Sequence, residues 1–293
     1  MDWDRTGQCG RSLAASTFVA RDGFRLHCLT TPGGDLPVLL LHGFPGYSGD
    51  WGPLISVLAE DFRLIAPDMR GFNRSGAPPS PTLTIPDLLG DIAAILRALD
   101  INRFGILAHD LGAMLAWWMV LLWPKSIACA AMLSCPHPAA YAAALKDLDL
   151  TGRRDYVRTM LDDLPTMRAG WSRLVNEEDI TDGLRAAMEQ SDWRAIQALY
   201  RGCVSGDAVR TLPPRLPPVQ IPTLIAYGTH DPIIPETVFV ASREFIAAPH
   251  ELLPVASGGH FINRDNFLTL GPPLRTFLHK HLGVPKGTVQ PES

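Results

Sequence analysis

Phe104-Gly105-Ile106-Leu107-Ala108-His109-Asp110-Leu111-Gly112-Ala113-Met114 is the stretch on which the fold turns. The apolar run Phe104 to Leu107 predicts a buried strand, and Gly112 to Met119 predicts a buried helix. Between them stands one carboxylate, with small residues at Ala108, Gly112 and Ala113. This is the layout of a nucleophile elbow, a sharp strand-to-helix turn that lifts one side chain above a sheet and tolerates only small neighbours. Serine is the usual occupant. An aspartate there attacks carbon and forms an alkyl ester, which is a different class of chemistry.

Outward from this stretch, apolar runs alternate with helical patterns, the signature of a mostly parallel sheet covered on both faces. Phe18 to Ala20 and Arg25 to Thr30 read as two leading strands joined at Asp22-Gly23. Val38 to Leu41 and Arg63 to Ala66 read as short buried strands. Ile85 to Leu99 carries apolar residues at helical spacing, and Ala130 to Ser134 is the strand after the elbow helix. From Pro138 to Leu212 the text turns helical, charged and strand-poor, ending in the proline-rich connector Pro213-Pro214-Arg215-Leu216-Pro217-Pro218. Strands resume at Thr223 to Tyr227 and Leu252 to Val255, a last helix spans Asn266 to His281, and the tail Gly283 to Ser293 reads as disordered. The expected division is a core of residues 1–136 and 214–293 with a helical cap at 137–213.

Composition narrows the function. The chain has 293 residues, 46% of them hydrophobic, with a net charge of -4. No basic face is implied, so nucleic acid is not an expected partner. The longest apolar run, Ala113 to Trp123, is too short to span a bilayer, and the first residues lack a signal-peptide pattern. Cys9, Cys28, Cys129, Cys135 and Cys203 are odd in number and dispersed, which reads as reduced thiols in a cytoplasm.

An ester on Asp110 would need a base to activate water, and the base an orienting acid. Asp231 lies in Tyr227-Gly228-Thr229-His230-Asp231-Pro232 and His260 in Ser257-Gly258-Gly259-His260-Phe261, each after a predicted strand. The order nucleophile, acid, histidine is that of the α/β-hydrolase fold. The developing oxyanion needs two N–H donors, here the backbone of Leu111 and of Phe44 in His42-Gly43-Phe44-Pro45-Gly46. No metal ligand set or cofactor motif is needed for this chemistry.

His42-Gly43-Phe44-Pro45-Gly46, Pro67-Asp68-Met69-Arg70-Gly71-Phe72 with Ser75, His109-Asp110 and Gly259-His260 together resemble the soluble epoxide hydrolase branch of the α/β-hydrolases, from about Phe18 to Leu282. The resemblance implies an eight-stranded, mostly parallel sheet flanked by helices, with a helical cap inserted after the sixth strand. It implies an epoxide opened to a vicinal diol through a covalent alkyl-aspartate ester, without a cofactor. It further implies two proton donors in the cap. Tyr200, in Ile196-Gln197-Ala198-Leu199-Tyr200-Arg201, resembles the second, and Tyr156, in Arg153-Arg154-Asp155-Tyr156-Val157-Arg158, the first. Tyr141 is the alternate first donor. His42, Pro45, Tyr141 and Cys135 are candidate substrate contacts; the plainer reading of Cys135 is a small buried apolar residue. His109, Asp68 and Arg70 read as scaffold.

Haloalkane and haloacid dehalogenases share the triad and form the rival reading. Haloalkane members commonly carry Trp after the nucleophile, where this chain has Leu111, with no donor beyond its backbone. Many epoxide hydrolases also have Trp there, so the departure bears on pocket shape more than on chemistry. A ligand-binding protein on the same fold is disfavoured because Asp110, Asp231 and His260 are all present. The expected partners are a small apolar epoxide and water, with a homodimer left open.

Overall fold

The computed structural model describes residues 13–147, 157–175, 180–204 and 216–283. At its edge, Asp22 (φ 41°) and Gly23 (φ 87°) form the two-residue turn of a hairpin. Positive φ at both turn positions matches the twist of the flanking strands. The hairpin strands are β1 (Ala15–Arg21) and β2 (Phe24–Thr30). Then follow β3 (Pro37–Leu41), β4 (Arg63–Pro67), β5 (Phe104–His109), β6 (Ile127–Leu133), β7 (Thr223–Gly228) and β8 (His250–Val255). They form one eight-stranded sheet in the order β1-β2-β4-β3-β5-β6-β7-β8. β2 runs antiparallel to both β1 and β4, and the remaining pairs are parallel.

The continuous apolar runs have a simple cause: the inner strands are covered on both faces. Side chains alternate along a strand, so Leu39, Leu41, Ile106 and Ala108 enter one layer while Val38, Leu40 and Leu107 enter the other. The first layer receives α2 (Ile85–Ala98) and α3 (Leu111–Leu122); the second receives α1 (Gly52–Leu58) and the C-terminal helix α10 (Phe267–Leu282). Helix α1, opening on Gly52-Pro53 and only two turns long, gave no readable period in the sequence. The α2 start is fixed by a capping box in which the Thr84 N–H donates to Asp87 Oδ2 at 2.9 Å.

Between β6 and β7 the described residues are helical: α4 (Pro138–Asp147), α5 (Leu164–Gly170), α6 (Asp182–Gln190) and α7 (Trp193–Leu199), followed by a π-helical turn, Tyr200–Val204. The short helices α8 (Glu236–Ala241) and α9 (Ile262–Asp265) complete the chain. Helix α7 is tied down by Asp192, whose Oδ1 accepts from Arg194 N and Ala195 N at 3.0 and 3.3 Å. Strand order reverses across β3 and β5, so the loops leaving their carboxyl ends border one crevice, where ligands bind in open α/β sheets. Tyr156, the connector at 213–215 and the tail from 284 onward lie outside the described residues. Among the described residues, no helix is long and apolar enough to cross a membrane.

Candidate active site

Asp110 caps the start of α3 with φ 49° and ψ −118°, a backbone conformation strained for any residue with a Cβ. Neighbouring interactions hold it there. Its N–H donates to Leu133 O at 3.1 Å, and its carbonyl accepts from Met114 N at 2.9 Å. The turn closes because Gly112 has no side chain: a Cβ there would overlap the carbonyl oxygens of Leu41 and His42. Gly43 is under a similar demand, since its Cβ would meet the Asp110 side chain itself.

The Asp110 carboxylate faces two partners. Phe44 N–H donates to Oδ1 at 3.0 Å, and His260 Nε2 lies 3.3 Å from Oδ2. The side chain keeps 13% of its surface open, enough for a reactant to reach it. His260 Nδ1 lies 2.8 Å from Asp231 Oδ2, whose other oxygen accepts from Ile233 N and Ile234 N at 2.8 and 3.1 Å. Asp231 is therefore fixed by backbone and can orient the ring. Leu111 is the first residue of α3, so its N–H has no acceptor within the helix by position.

The charges follow from this packing. Burial opposes ionisation of Asp110, but the hydrogen bond and charge of His260, with the Phe44 N–H, outweigh it and hold the carboxyl well below the usual range. Burial likewise opposes protonation of His260. The charge of Asp231, with the hydrogen bonds that the ring donates to Asp110 and Asp231, wins and raises the ring to about 9. His109 goes the other way: burial and the neighbouring His260 push it down to about 3. Neutral His109 donates from Nε2 to the His260 carbonyl at 2.9 Å and pins the histidine loop, the scaffold role read from the sequence.

His42 is held by backbone at both ring nitrogens. Its Nδ1 lies 2.9 Å from Gly43 O and its Nε2 accepts from Met69 N at 2.9 Å. Both ring nitrogens are committed to backbone and the ring is buried, so it braces the oxyanion turn and offers a reactant nothing polar. Asp68 and Arg70 fix the loop after β4, as expected. Asp68 accepts from Ser48 N at 2.7 Å, and Arg70 grips Asp91 through Nε and Nη2 at 2.7 and 2.6 Å. Pro45 is buried and follows a cis Phe44–Pro45 bond. Cys135 is half-buried just past β6, and its carbonyl accepts from Trp117 Nε1 at 3.2 Å. Tyr141 is half-buried on α4.

Tyr200 is fully buried, and its ring meets that of Phe44 edge-on with centroids 5.7 Å apart. The Phe44 ring also meets Trp193 at 6.2 Å and Phe72 at 6.3 Å. One residue thus offers its backbone to Asp110 and its side chain to the helical insertion. Local sequence points only to the backbone part. The missed signal was the spacing of Trp193 and Tyr200, seven apart and hence on one helical face.

Residues 37–267 match the family described as alpha/beta hydrolase fold. This chain belongs to that family. Among its relatives within the α/β-hydrolases it is 38% identical over 140 residues to an epoxide hydrolase of Caballeronia sordidicola, covering 47% of this chain and 42% of the relative. The chain spans only 35% to 42% of the length of the first curated relatives it matches. Among solved structures, the Bacillus megaterium epoxide hydrolase with an inhibitor superposes with a TM-score of 0.82 at 20% identity, covering 90% of this chain and 100% of that one. An epoxide hydrolase from metagenomes of hot environments gives 0.77 at 26% identity, covering 90% and 98%. At 20% identity the first of these likenesses speaks to fold alone.

Proposed function

We propose that this α/β-hydrolase is an epoxide hydrolase that turns a small, apolar epoxide into a vicinal diol through an ester on Asp110. One observation carries the reading: a carboxylate at the elbow, with one oxygen 3.0 Å from the Phe44 N and the other 3.3 Å from the imidazole of His260. A serine hydrolase would have a hydroxyl in that place. The names of the relatives support the choice of electrophile.

In this reading Asp110 Oδ2 attacks an oxirane carbon while Oδ1 stays on the Phe44 N–H. The opening oxygen takes a proton from Tyr200, with Tyr156 as its partner donor and Tyr141 as the alternate. Ester formation removes the Asp110 charge, and with it part of what holds the His260 proton. His260 gives up that proton, which restores Tyr200, and then accepts one from the water that attacks the ester carbonyl. Asp231 stabilises the resulting imidazolium. As the tetrahedral centre collapses, the bond to the alkyl oxygen breaks and the diol leaves with the proton from His260. The Phe44 and Leu111 N–H groups receive the oxyanion, where preorganised donors contribute several kcal/mol, about 3 each. Pro45 and Cys135 border the reactant, and the described helices between β6 and β7 form the cap above it. Among the described residues Cys28, Cys129, Cys135 and Cys203 are free thiols, which fits action in a reducing cytoplasm.

Single-turnover hydrolysis in oxygen-18 water tests the route. The first diol should carry an oxygen from Asp110, with the heavy isotope entering only later. Heavy oxygen in the first product would overturn the ester route, and halide release without diol formation would favour a dehalogenase.

A further inference from the structure

A second Ser–His–Asp arrangement lies outside the site just described. Ser16 Oγ on β1 is 2.8 Å from His27 Nε2 on β2, and His27 Nδ1 is 2.7 Å from Asp68 Oδ2 at the end of β4. Ser16 is exposed, whereas His27 and Asp68 are 2% and 0% exposed. Only the hydroxyl end therefore faces solvent, as a nucleophile's would. Asp68 is anchored on every side. Its Oδ1 accepts from Ser48 N at 2.7 Å, and its Oδ2 accepts from Asn73 Nδ2 at 2.8 Å and Arg74 N at 3.4 Å. Burial opposes its ionisation, but the hydrogen bond and charge of His27 keep its carboxyl below the usual range.

An ionised Asp68 accepts only, so His27 carries its proton on Nδ1 and Nε2 is left to accept from Ser16. That is the tautomer of a general base. Arg74 Nη1 sits 2.7 Å from Ser16 Oγ and 3.3 Å from His27 Nε2, placing a fixed positive charge beside the hydroxyl. Phe18 adjoins the group, 37% exposed, with the guanidinium carbons of Arg25 and Arg74 each 4.9 Å from its ring centre.

We propose that Ser16, His27 and Asp68 form a second, solvent-facing acyl-transfer site that takes activated aryl esters, with Arg74 as its oxyanion partner. Ser16 Oγ bonds to the carbonyl carbon and its proton passes to His27 Nε2. The bond to the aryl oxygen breaks, and the phenol leaves with that proton. Water then attacks the acyl carbon and gives its proton to His27, which returns it to Ser16 as the carboxylic acid departs. The activated phenol is a far better leaving group than the serine alkoxide, so acylation outpaces deacylation and the site shows a burst. None of Asp110, Asp231 or His260 takes part, so the proposal stands apart from the epoxide reading.

The test pairs p-nitrophenyl acetate with an alkyl fluorophosphonate and peptide mapping. The wild-type protein should release a stoichiometric burst of p-nitrophenolate and carry the phosphonyl group on Ser16. Ser16→Ala should lose both and keep its rate of diol formation from an epoxide. Arg74→Met, a surface change, should slow phosphonylation roughly tenfold or more with an unchanged melting temperature. His27→Gln should abolish labelling; because it alters a buried ring, the Arg74→Met result stands as the independent check. An unlabelled Ser16 in the wild type, or labelling at the wild-type rate in Arg74→Met, overturns the proposal.

Discussion

At the scale of single residues, His260 holds its proton more tightly than a free imidazole because two carboxylates face it, at 2.8 and 3.3 Å. Removing one charge should release that proton. In Asp110→Asn the His260 pKa should fall below its value of about 9, read from the imidazole NMR resonances against pH. An unchanged value would mean the pair is not coupled. The stability sign follows from linkage. A raised histidine pKa stabilises the fold fully below the unfolded value of about 6.5. That contribution disappears as pH rises through about 9. The depressed Asp110 works in the opposite sense, stabilising above its unfolded value and losing that contribution as the medium turns acidic. His260→Gln should leave ring opening intact and stop ester cleavage, so intact-protein mass spectrometry should find the substrate's mass added at Asp110. Protein of unchanged mass after incubation with a verified substrate would remove His260 from that role.

At the scale of elements, the β5–α3 elbow and the β3 turn meet through two glycines with different duties. Gly112→Ala forces a methyl group into the Leu41 carbonyl, a backbone clash that nothing flexible can relieve. It should destabilise the protein by about 1–3 kcal/mol in urea titration. Gly43→Ala instead meets the Asp110 side chain. It should cost more in kcat than in unfolding free energy, because the displaced group is the proposed nucleophile; equal losses in both variants would deny the distinction. Motifs on these two elements were legible in the sequence because a tight turn restricts residue size locally. The role of the Phe44 side chain was not legible, because its partners Trp193 and Tyr200 are about 150 residues away and meet it only through packing. The bracing part of His42 was not legible for a related reason. A histidine beside an oxyanion turn looks chemical until Met69 N and Gly43 O are seen to occupy its ring.

At the scale of the whole molecule, the helices between β6 and β7 pack on the loops of the sheet, with Asp192 N donating to Gly71 O at 2.7 Å and Leu83 N to Ala198 O at 3.0 Å. Phe44 lies at their meeting, so Trp193→Ala should loosen the covering and raise KM more than it lowers kcat, measured by steady-state hydrolysis of one epoxide. A fall in kcat alone would place Trp193 in the chemistry. On the far side of the first layer, Arg70 and Asp91 form a buried pair, 6% and 5% exposed, that ties the β4 loop to α2. Asp91→Ala leaves that guanidinium buried without its carboxylate and should cost about 3–5 kcal/mol. A loss under 1 kcal/mol by denaturant titration would show that water replaces the partner at little cost.

Local chemistry in the sequence determined the order of strands and helices, the elbow, and the succession Asp110, Asp231, His260, because each depends on residues within a few positions of one another. Which groups touch was decided only in three dimensions. The 3.3 Å approach of His260 to Asp110 spans 150 residues of chain. It exists because parallel strands bring distant loops to one edge of a sheet, and no short-range preference encodes that closure.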